Sequence, residues 1–333
     1  MLNYTLRRIL VAIPTLLILV IVSFLLMHAA PGGPFTSERP LPPQVLANIQ
    51  AKYGLDDPLY VQLWEYLRGV VFHFDFGPSF QRKDQTVNEI MARGFPITFT
   101  YGALSFVVAT LVGGTLGIVA AIRQNTIIDY FAVGVSIGAQ VLPNFVMAPL
   151  LVWLFTLTLP VLMCDIYPYL PDFIIGLFPV SSCSEITLPG GGWNGGAWQN
   201  LIMPVIALST SYMASISRIT RSSMLEVLNS NYIRTARAKG LPERMVIIRH
   251  ALKPSLVPLI SYLGVAFVGM ITGSVVIDIY FSTGGMGRDF VNSALNRDYS
   301  VMMGITILVG TLTILFALLA DLLYAWVDPK IRY

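Results

Sequence analysis

The residues with which this chain could do chemistry are few and far apart. Its three histidines, His28, His73 and His250, are scattered, so no two share the short spacing that brings imidazoles onto one metal. Its two cysteines, Cys164 and Cys183, stand in a stretch rich in proline, glycine and aromatics with no histidine beside them. In an oxidising compartment they could close the loop between them by a disulfide, worth up to about 3 kcal/mol. The other reading is a pair of buried free thiols. The chain carries no G-x-x-x-x-G-K-[ST], no H-E-x-x-H and no G-x-S-x-G, which excludes an ATP-hydrolysing phosphate loop, a zinc-peptidase helix and a serine-nucleophile elbow. What stands out instead is charge. Residues 231–254, "NYIRTARAKGLPERMVIIRHALKP", hold Arg234, Arg237, Lys239, Arg244, Arg249 and Lys253 against a single acid, Glu243. The chemistry open to such a stretch is recognition through charge-assisted hydrogen bonds.

The elements that must position this stretch are apolar. Hydrophobic residues make up 55% of the chain and charged residues 12%, with a mean hydropathy of +0.69, values that belong to a membrane protein. A net charge of +3 is too small for a nucleic-acid binder. Crossing the hydrocarbon layer by helix takes about 20 mostly apolar residues. Six segments meet or approach this: Ile9–His28, Ile97–Ile122, Tyr130–Leu159, Leu201–Ile216, Leu256–Ile279 and Val301–Trp326, all without Lys or Arg. The first is expected to be a retained anchor rather than a cleaved signal, because its apolar run is too long. With six spans, Arg7, Arg8, Arg123, the cations of 218–253, Lys330 and Arg332 all fall on one side, while the opposite short loops hold only Arg288 and Arg297. The positive-inside rule then makes both termini cytoplasmic.

Residues 29–95 project to the other side, where "LPPQVLANIQAKYGL" and "LYVQLWEYLRGVVFHF" read as helices; they could cap the bundle or receive an external partner. Within the spans, Ala109, Gly113, Gly117 and Ala121 recur every four residues, a pattern for close helix packing. Gly264, Gly269 and Gly273, with Thr272 and Ser274, could pack tightly or line a polar path. Asp129, Asp278 and Asp321 are expected near the ends of their spans, within reach of water rather than at mid-bilayer.

The basic stretch has helix punctuation of its own. Ser230 or Asn231 can cap a short helix, roughly Tyr232–Lys239, which Gly240 and Pro242 stop. Ala236, Ala238 and Gly240 give it low-profile places for a partner backbone, and Arg234, Arg237 and Lys239 offer hydrogen bonds. A second helix is expected after Pro242, with Met245, Ile248 and Leu252 on its apolar stripe and Arg244 and Arg249 off it. Such a unit suits a plug for a socket. A loop held against anionic lipid would explain the charge but not the stop signals.

At these residues the chain resembles the ABC-importer permeases. The segment Arg234, Thr235, Ala236, Arg237, Ala238, Lys239, Gly240 is similar to their cytoplasmic Glu-Ala-Ala-x-x-x-Gly loop, in the variant form of the peptide and nickel permeases, with Leu252-Lys253-Pro254 in place of Leu-Pro downstream. "FDFGPSF" resembles the Gly-Asp-Leu-Gly-x-Ser element, with Phe74 where Gly is usual. "STGGMGRDFVNSALNRDYSVM" resembles the Gly-x-Pro-Gly-x-Gly turn and Asp-Tyr-Pro, with Gly284 and Ser300 replacing prolines. "LRRILVAIPTLLILVIVSFLLMHAAPGGPF" is similar to the family's opening helix, and the combination of "PFTSERPLPPQVLANIQAKYGL" with the ending "DPKIRY" looks closest to the B-type permease subunit of oligopeptide importers; the insertion at about Val161–Leu188 is outside that pattern.

The resemblance implies an all-α integral membrane protein with the type I ABC-importer permease fold. It implies an N-terminal helix (1–28), an extracytoplasmic region (29–95) and a five-helix transmembrane domain (96–333) with an insertion at 160–198 and a coupling segment at 218–253. The implied contact with an ATPase runs from Arg234 to Leu241. Implied partners are a second homologous permease, two ABC ATPase subunits carrying ATP and Mg, an extracytoplasmic peptide-binding protein and membrane lipid. The chain itself binds no cofactor on this reading and is not an enzyme. The competing readings are a proton-coupled secondary transporter, a membrane scaffold, or the same framework carrying dipeptide, glutathione or nickel.

Overall fold

The computed structural model describes residues 2–29, 57–82, 84–158, 198–272 and 275–327. Among these, helices dominate and the β structure is one isolated antiparallel bridge between Pro78 and Thr86. In chain order the helices are α1 (Leu2–Ala29), α2 (Leu59–Arg68, extended by a π-helical turn Gly69–His73), α3 (Val87–Ile122), α4 (Ile127–Val141) and α5 (Asn144–Val152, with a π-helical turn Trp153–Thr158). A 3₁₀ turn, Trp198–Leu201, leads into α6 (Ile202–Leu228), followed by α7 (Asn231–Ala238) and α8 (Glu243–Met245). A π-helical turn, Val246–Ala251, joins α8 to α9 (Leu252–Ile271); then come α10 (Val275–Tyr280), α11 (Met286–Leu295) and α12 (Tyr299–Val327).

Among the described residues, five helical runs are long and apolar enough to cross a membrane: Ile9–Ala29, Val87–Ile122, Ile202–Leu228, Glu243–Tyr280 and Tyr299–Ala320. The third expected span, Tyr130–Leu159, is not one straight helix. It divides into α4 and α5, bent by 107°. The cause is local: Leu142 is extended (φ −81°, ψ 109°) because it precedes Pro143, whose ring disfavours helical backbone in the residue before it. The fourth expected span proves longer than its apolar core, since α6 continues through Arg218 and Arg221 to Leu228.

The core is built on α3 and α6, and glycine makes their closeness possible. A Cβ on Gly113 would lie 2.6 Å from the Met213 carbonyl oxygen, and one on Gly117 would lie 2.5 Å from that of Ser217. Two of the four residues expected to form a packing face thus touch the backbone of the neighbouring helix. Ala109 and Ala121, the other two, are buried. Because α3 has 36 residues, it is about 54 Å long and reaches both ends of the molecule. Near its start, Val87, Ile90 and Met91 pack with Met286, Val301 and Ile305. At its far end, Ala121 packs with Met224, Ile233, Ala236, Val246 and Ala251. Large apolar side chains such as Leu10, Ile13 and Leu26 on α1 and Phe131 on α4 face outward, as hydrocarbon or neighbouring helices require.

Candidate functional site

The basic stretch folds as a short helix standing on a pedestal of its own chain. Ile233 and Ala236, three apart and so on one face of α7, are buried against Met224 of α6, Ala121 of α3 and Val246 and Ala251. Arg234, Thr235, Arg237, Ala238, Lys239 and Gly240 are exposed. This corrects the expectation for Ala236, which anchors α7 to the protein rather than lying open to a partner.

The start of α7 also differs from expectation. Ser230 occupies the capping position with extended backbone, but its side chain makes no capping hydrogen bond; its Oγ instead donates to the Val227 carbonyl at 2.6 Å. The end of the helix follows the sequence closely. Gly240 has φ +77°, the Gly240 N–H donates to Arg237 O at 2.9 Å and the Leu241 N–H donates to Ala236 O at 3.4 Å. These two bonds form a Schellman termination, and Leu241 packs back onto the pedestal, as the motif's apolar contact requires. A Cβ on Gly240 would meet nothing within 4 Å, so glycine is needed here for its left-handed backbone, not for room.

Arg237 turns back to Glu243, donating from Nε to Oε2 at 3.1 Å and from Nη2 to Oε1 at 2.6 Å. That hydrogen bond is the first cause holding the Arg237 guanidinium above its ordinary pKa. The two side chains are 44% and 54% exposed, so the pair adds at most about 1 kcal/mol to stability. Its effect is geometric, since it fixes the turn between α7 and α8.

Beyond the turn, the apolar stripe is displaced from the expected one. Met245 and Ile248 are exposed and Leu252 is half-buried, while Val246 and Ala251 are fully buried; Arg244 and Arg249 are exposed, off the stripe as expected. The π-helical turn Val246–Ala251 shifts the register there, three residues before Pro254, which has no N–H to offer the carbonyl four residues back.

At the opposite end two sequence motifs lock onto each other. Asp298, from "RDYS", is buried and accepts from Ser79 Oγ and, at 3.1 Å, from the Phe80 N–H, both in "FDFGPSF". Ser300 donates to Pro78 O at 2.7 Å, a bond that the proline usual at that position could not make. Phe74 has φ +49°, which explains why glycine is usual there. Replacing this 73% exposed side chain in Phe74→Gly is expected to raise stability by about 0.5–1 kcal/mol, the left-handed strain relieved less the added chain entropy. Thermal unfolding in detergent reads the change.

A second lock surrounds Asp278, which is fully buried. Its carboxylate accepts from Tyr101 Oη at 3.0 Å, from the Gly287 N–H at 2.8 Å and from Thr283 Oγ1. Asp129 is buried as well, in the first turn of α4. Arg221 of α6 donates to it from Nε (2.6 Å) and Nη2 (2.7 Å), and the Asn125 N–H adds a third bond at 2.9 Å. Both acids were expected within reach of water. They are instead enclosed and satisfied by the protein. An acid in an apolar span was the signal; the partner, distant in sequence, was not legible.

Gly269 and Thr272 line a groove of about 630 Å³ between α9 and α12, together with Ser261, Val265 and Thr313. A Cβ on Gly269 would run into the Tyr212 hydroxyl, and one on Gly264 into Ala320, so the glycines of α9 pack and line the groove at once. Gly273, Ser274, Cys164 and Cys183 lie outside the described residues, as does most of the 160–198 insertion. His28 is structural: its ring stacks on Phe24 at 4.0 Å, and its nitrogens lie 2.9 Å from Phe24 O and 3.1 Å from Gln62 Oε1, tying α1 to α2. Among the described residues no group of three His, Cys, Asp or Glu could hold a metal ion.

A bundle of apolar helices with hydrogen-bonded loops at one end and a basic helix presented at the other defines a class, the polytopic helical membrane subunit. Residues 113–333 match the family described as "Binding-protein-dependent transport system inner membrane component", residues 1–102 match its N-terminal companion, and the chain belongs to this family. It is a multi-pass protein of the cytoplasmic membrane. Over 333 residues, all of both chains, it is 53% identical to the oligopeptide transport system permease protein OppB of Salmonella typhimurium and 52% identical to that of Escherichia coli K12. The dipeptide transport system permease protein DppB of Bacillus subtilis is 37% identical over 332 residues, 100% of this chain and 98% of that one. Among solved structures, the fold is similar to an inward-facing MetNI methionine ABC transporter, with a TM-score of 0.54 at 15% identity over 72% of this chain and 97% of the other. The expected permease fold is therefore present.

Proposed function

We propose that this chain is a transmembrane permease subunit of an ATP-driven ABC importer that passes oligopeptides into the cell. Full-length identity of 52–53% to oligopeptide permeases supports the substrate class. The observation that carries the mechanism is α7, a short basic helix seated on its own pedestal with its charged face exposed. The basic end and both termini face the cytoplasm. There Arg234, Thr235, Arg237, Ala238, Lys239 and Gly240 meet an ATPase subunit, while Ala236 and Leu241 hold the helix in place. ATP and Mg reside on two such ATPases. A second homologous permease completes the membrane portion, and an extracytoplasmic binding protein delivers peptide to the end that carries α2 and α11. ATP draws the ATPases together, the seated helices follow, and the pathway opens outward; hydrolysis resets it. This is a population shift driven by preferential nucleotide binding to the closed ATPase pair. Gly269 and Thr272 belong to the wall of the translocation path.

Gly240→Asp places a side chain and a negative charge at the exposed end of α7, beside the helix's negative pole. The expected result is normal membrane insertion, loss of ATPase co-purification and loss of peptide uptake. Gly240→Asn keeps a residue that tolerates left-handed backbone, so its smaller loss isolates the side chain's bulk in the contact. Unchanged uptake and unchanged ATPase association in Gly240→Asp would remove the coupling assignment.

A further inference from the structure

The Asp129–Arg221 ion pair is bidentate, and Asp129 is almost fully enclosed, with 3% of its side chain exposed. Its placement is specific. Arg221 lies on α6 one turn before Met224, which packs beneath Ile233 and Ala236 of α7. Asp129 lies in the first turn of α4 and also accepts from Asn125 in the turn that joins α3 to α4. Close to the pair, a Cβ on Gly117 of α3 would come within 3.1 Å of the Arg221 backbone nitrogen. The pair thus ties α4 to the ends of α3 and α6 that carry the pedestal. Thirteen residues on from Asp129, Leu142 follows the end of α4, where the 107° bend leads to α5. Outer residues of α4 such as Tyr130, Phe131 and Ile137 are exposed, while Ala132, Ser136 and Ala139 are buried on the face that also carries Asp129, so the pair orients a helix already packed on α6 and α3.

We propose that the Asp129–Arg221 pair is a positioning link: it makes α4, the first arm of the broken span, follow α7 when the ATPases move, so that nucleotide binding bends or straightens the α4–α5 joint. Two-point guanidinium–carboxylate geometry suits this role, because it fixes orientation as well as distance. The inference rests on the coupling reading of α7.

The test uses the complete transporter, with its partner permease, ATPases and binding protein, in proteoliposomes, and measures ATP hydrolysed per oligopeptide imported. Asp129→Asn/Arg221→Gln removes both charges and leaves neither unpaired. Binding-protein-stimulated ATP hydrolysis is expected to persist while uptake falls, raising the ATP cost per peptide by about ten-fold, the scale of a typical inter-site coupling. Arg221→Lys keeps the charge but loses the two-point contact and is expected to give a smaller rise; it also carries the test if the double variant does not assemble. A purely structural pair would lower hydrolysis and uptake together, so a wild-type ratio in Arg221→Lys and in any assembled double variant overturns the proposal. Gly240→Asp, measured alongside, separates the two readings. If it loses ATPase association while the pair variants keep the wild-type ratio, the link fails and the coupling segment stands. If Gly240→Asp itself is wild type, both fall.

Discussion

Gly117→Ala is expected to destabilise the protein by about 2–3 kcal/mol, the upper range for overpacking a filled contact. The added methyl group would sit 2.5 Å from the Ser217 carbonyl oxygen, 2.7 Å from Thr220 Cβ and 3.1 Å from the Arg221 nitrogen. Two of those three atoms are backbone, so no flexible side chain can yield and α3 must move away from α6. Gly114→Ala, three positions earlier, is the control, since a Cβ there meets nothing within 4 Å. That change is expected to be neutral or to stabilise by up to about 1 kcal/mol, because alanine is the better helix former. Thermal unfolding of both variants in the same detergent should give shifts of opposite sign or, at the least, a large shift against none. Equal shifts would mean that α3 and α6 are not packed at this register.

Gly285→Ala is expected to cost about 3 kcal/mol, and Asp278→Ala a similar amount, since each disturbs a fully buried hydrogen-bonded group. Gly285 has φ −77°, so its conformation is open to any residue. Its constraint is space, because a Cβ would strike both Asp278 Oδ1 and Thr98 Oγ1, and Thr98 Oγ1 is the acceptor for the Met286 N–H at 2.9 Å. Gly287 is held in the same way, its Cβ falling 2.6 Å from Asp278 Oδ2. The two glycines let the turn close around the carboxylate. The double variant Asp278→Ala/Gly285→Ala should therefore lose clearly less than the sum of the singles, since removing the carboxylate vacates the room the new methyl group needs. Additive losses, read by thermal unfolding, would show that the turn does not depend on this contact.

Glycine 240 and glycine 285 illustrate how far sequence reached. Gly240, followed by Pro242 after a run of helix formers, is legible as a helix stop, because that signal is local and its φ of +77° follows from chain geometry alone. Gly285 is recognisable in sequence only as part of a glycine-rich turn. Its reason, the carboxylate of Asp278, appears when the chain has folded. The same division separates the two faces of α7: the sequence marks the helix and its charge, but Ala236 reads as an open position until Met224 and Ala121 are seen beneath it.

Composition by itself determined the membrane class, because hydrocarbon thickness acts on the linear chain. Helix punctuation determined α7, and the spacing of Gly113 and Gly117 determined a packing face. Tertiary structure alone decided which helix meets that face and the partners of Asp129, Asp278 and Asp298. Those depend on contacts between residues tens to hundreds of positions apart. In a dry interior such contacts are set by which donors and closely packed backbones the whole fold brings together, a quantity that no local window of sequence contains.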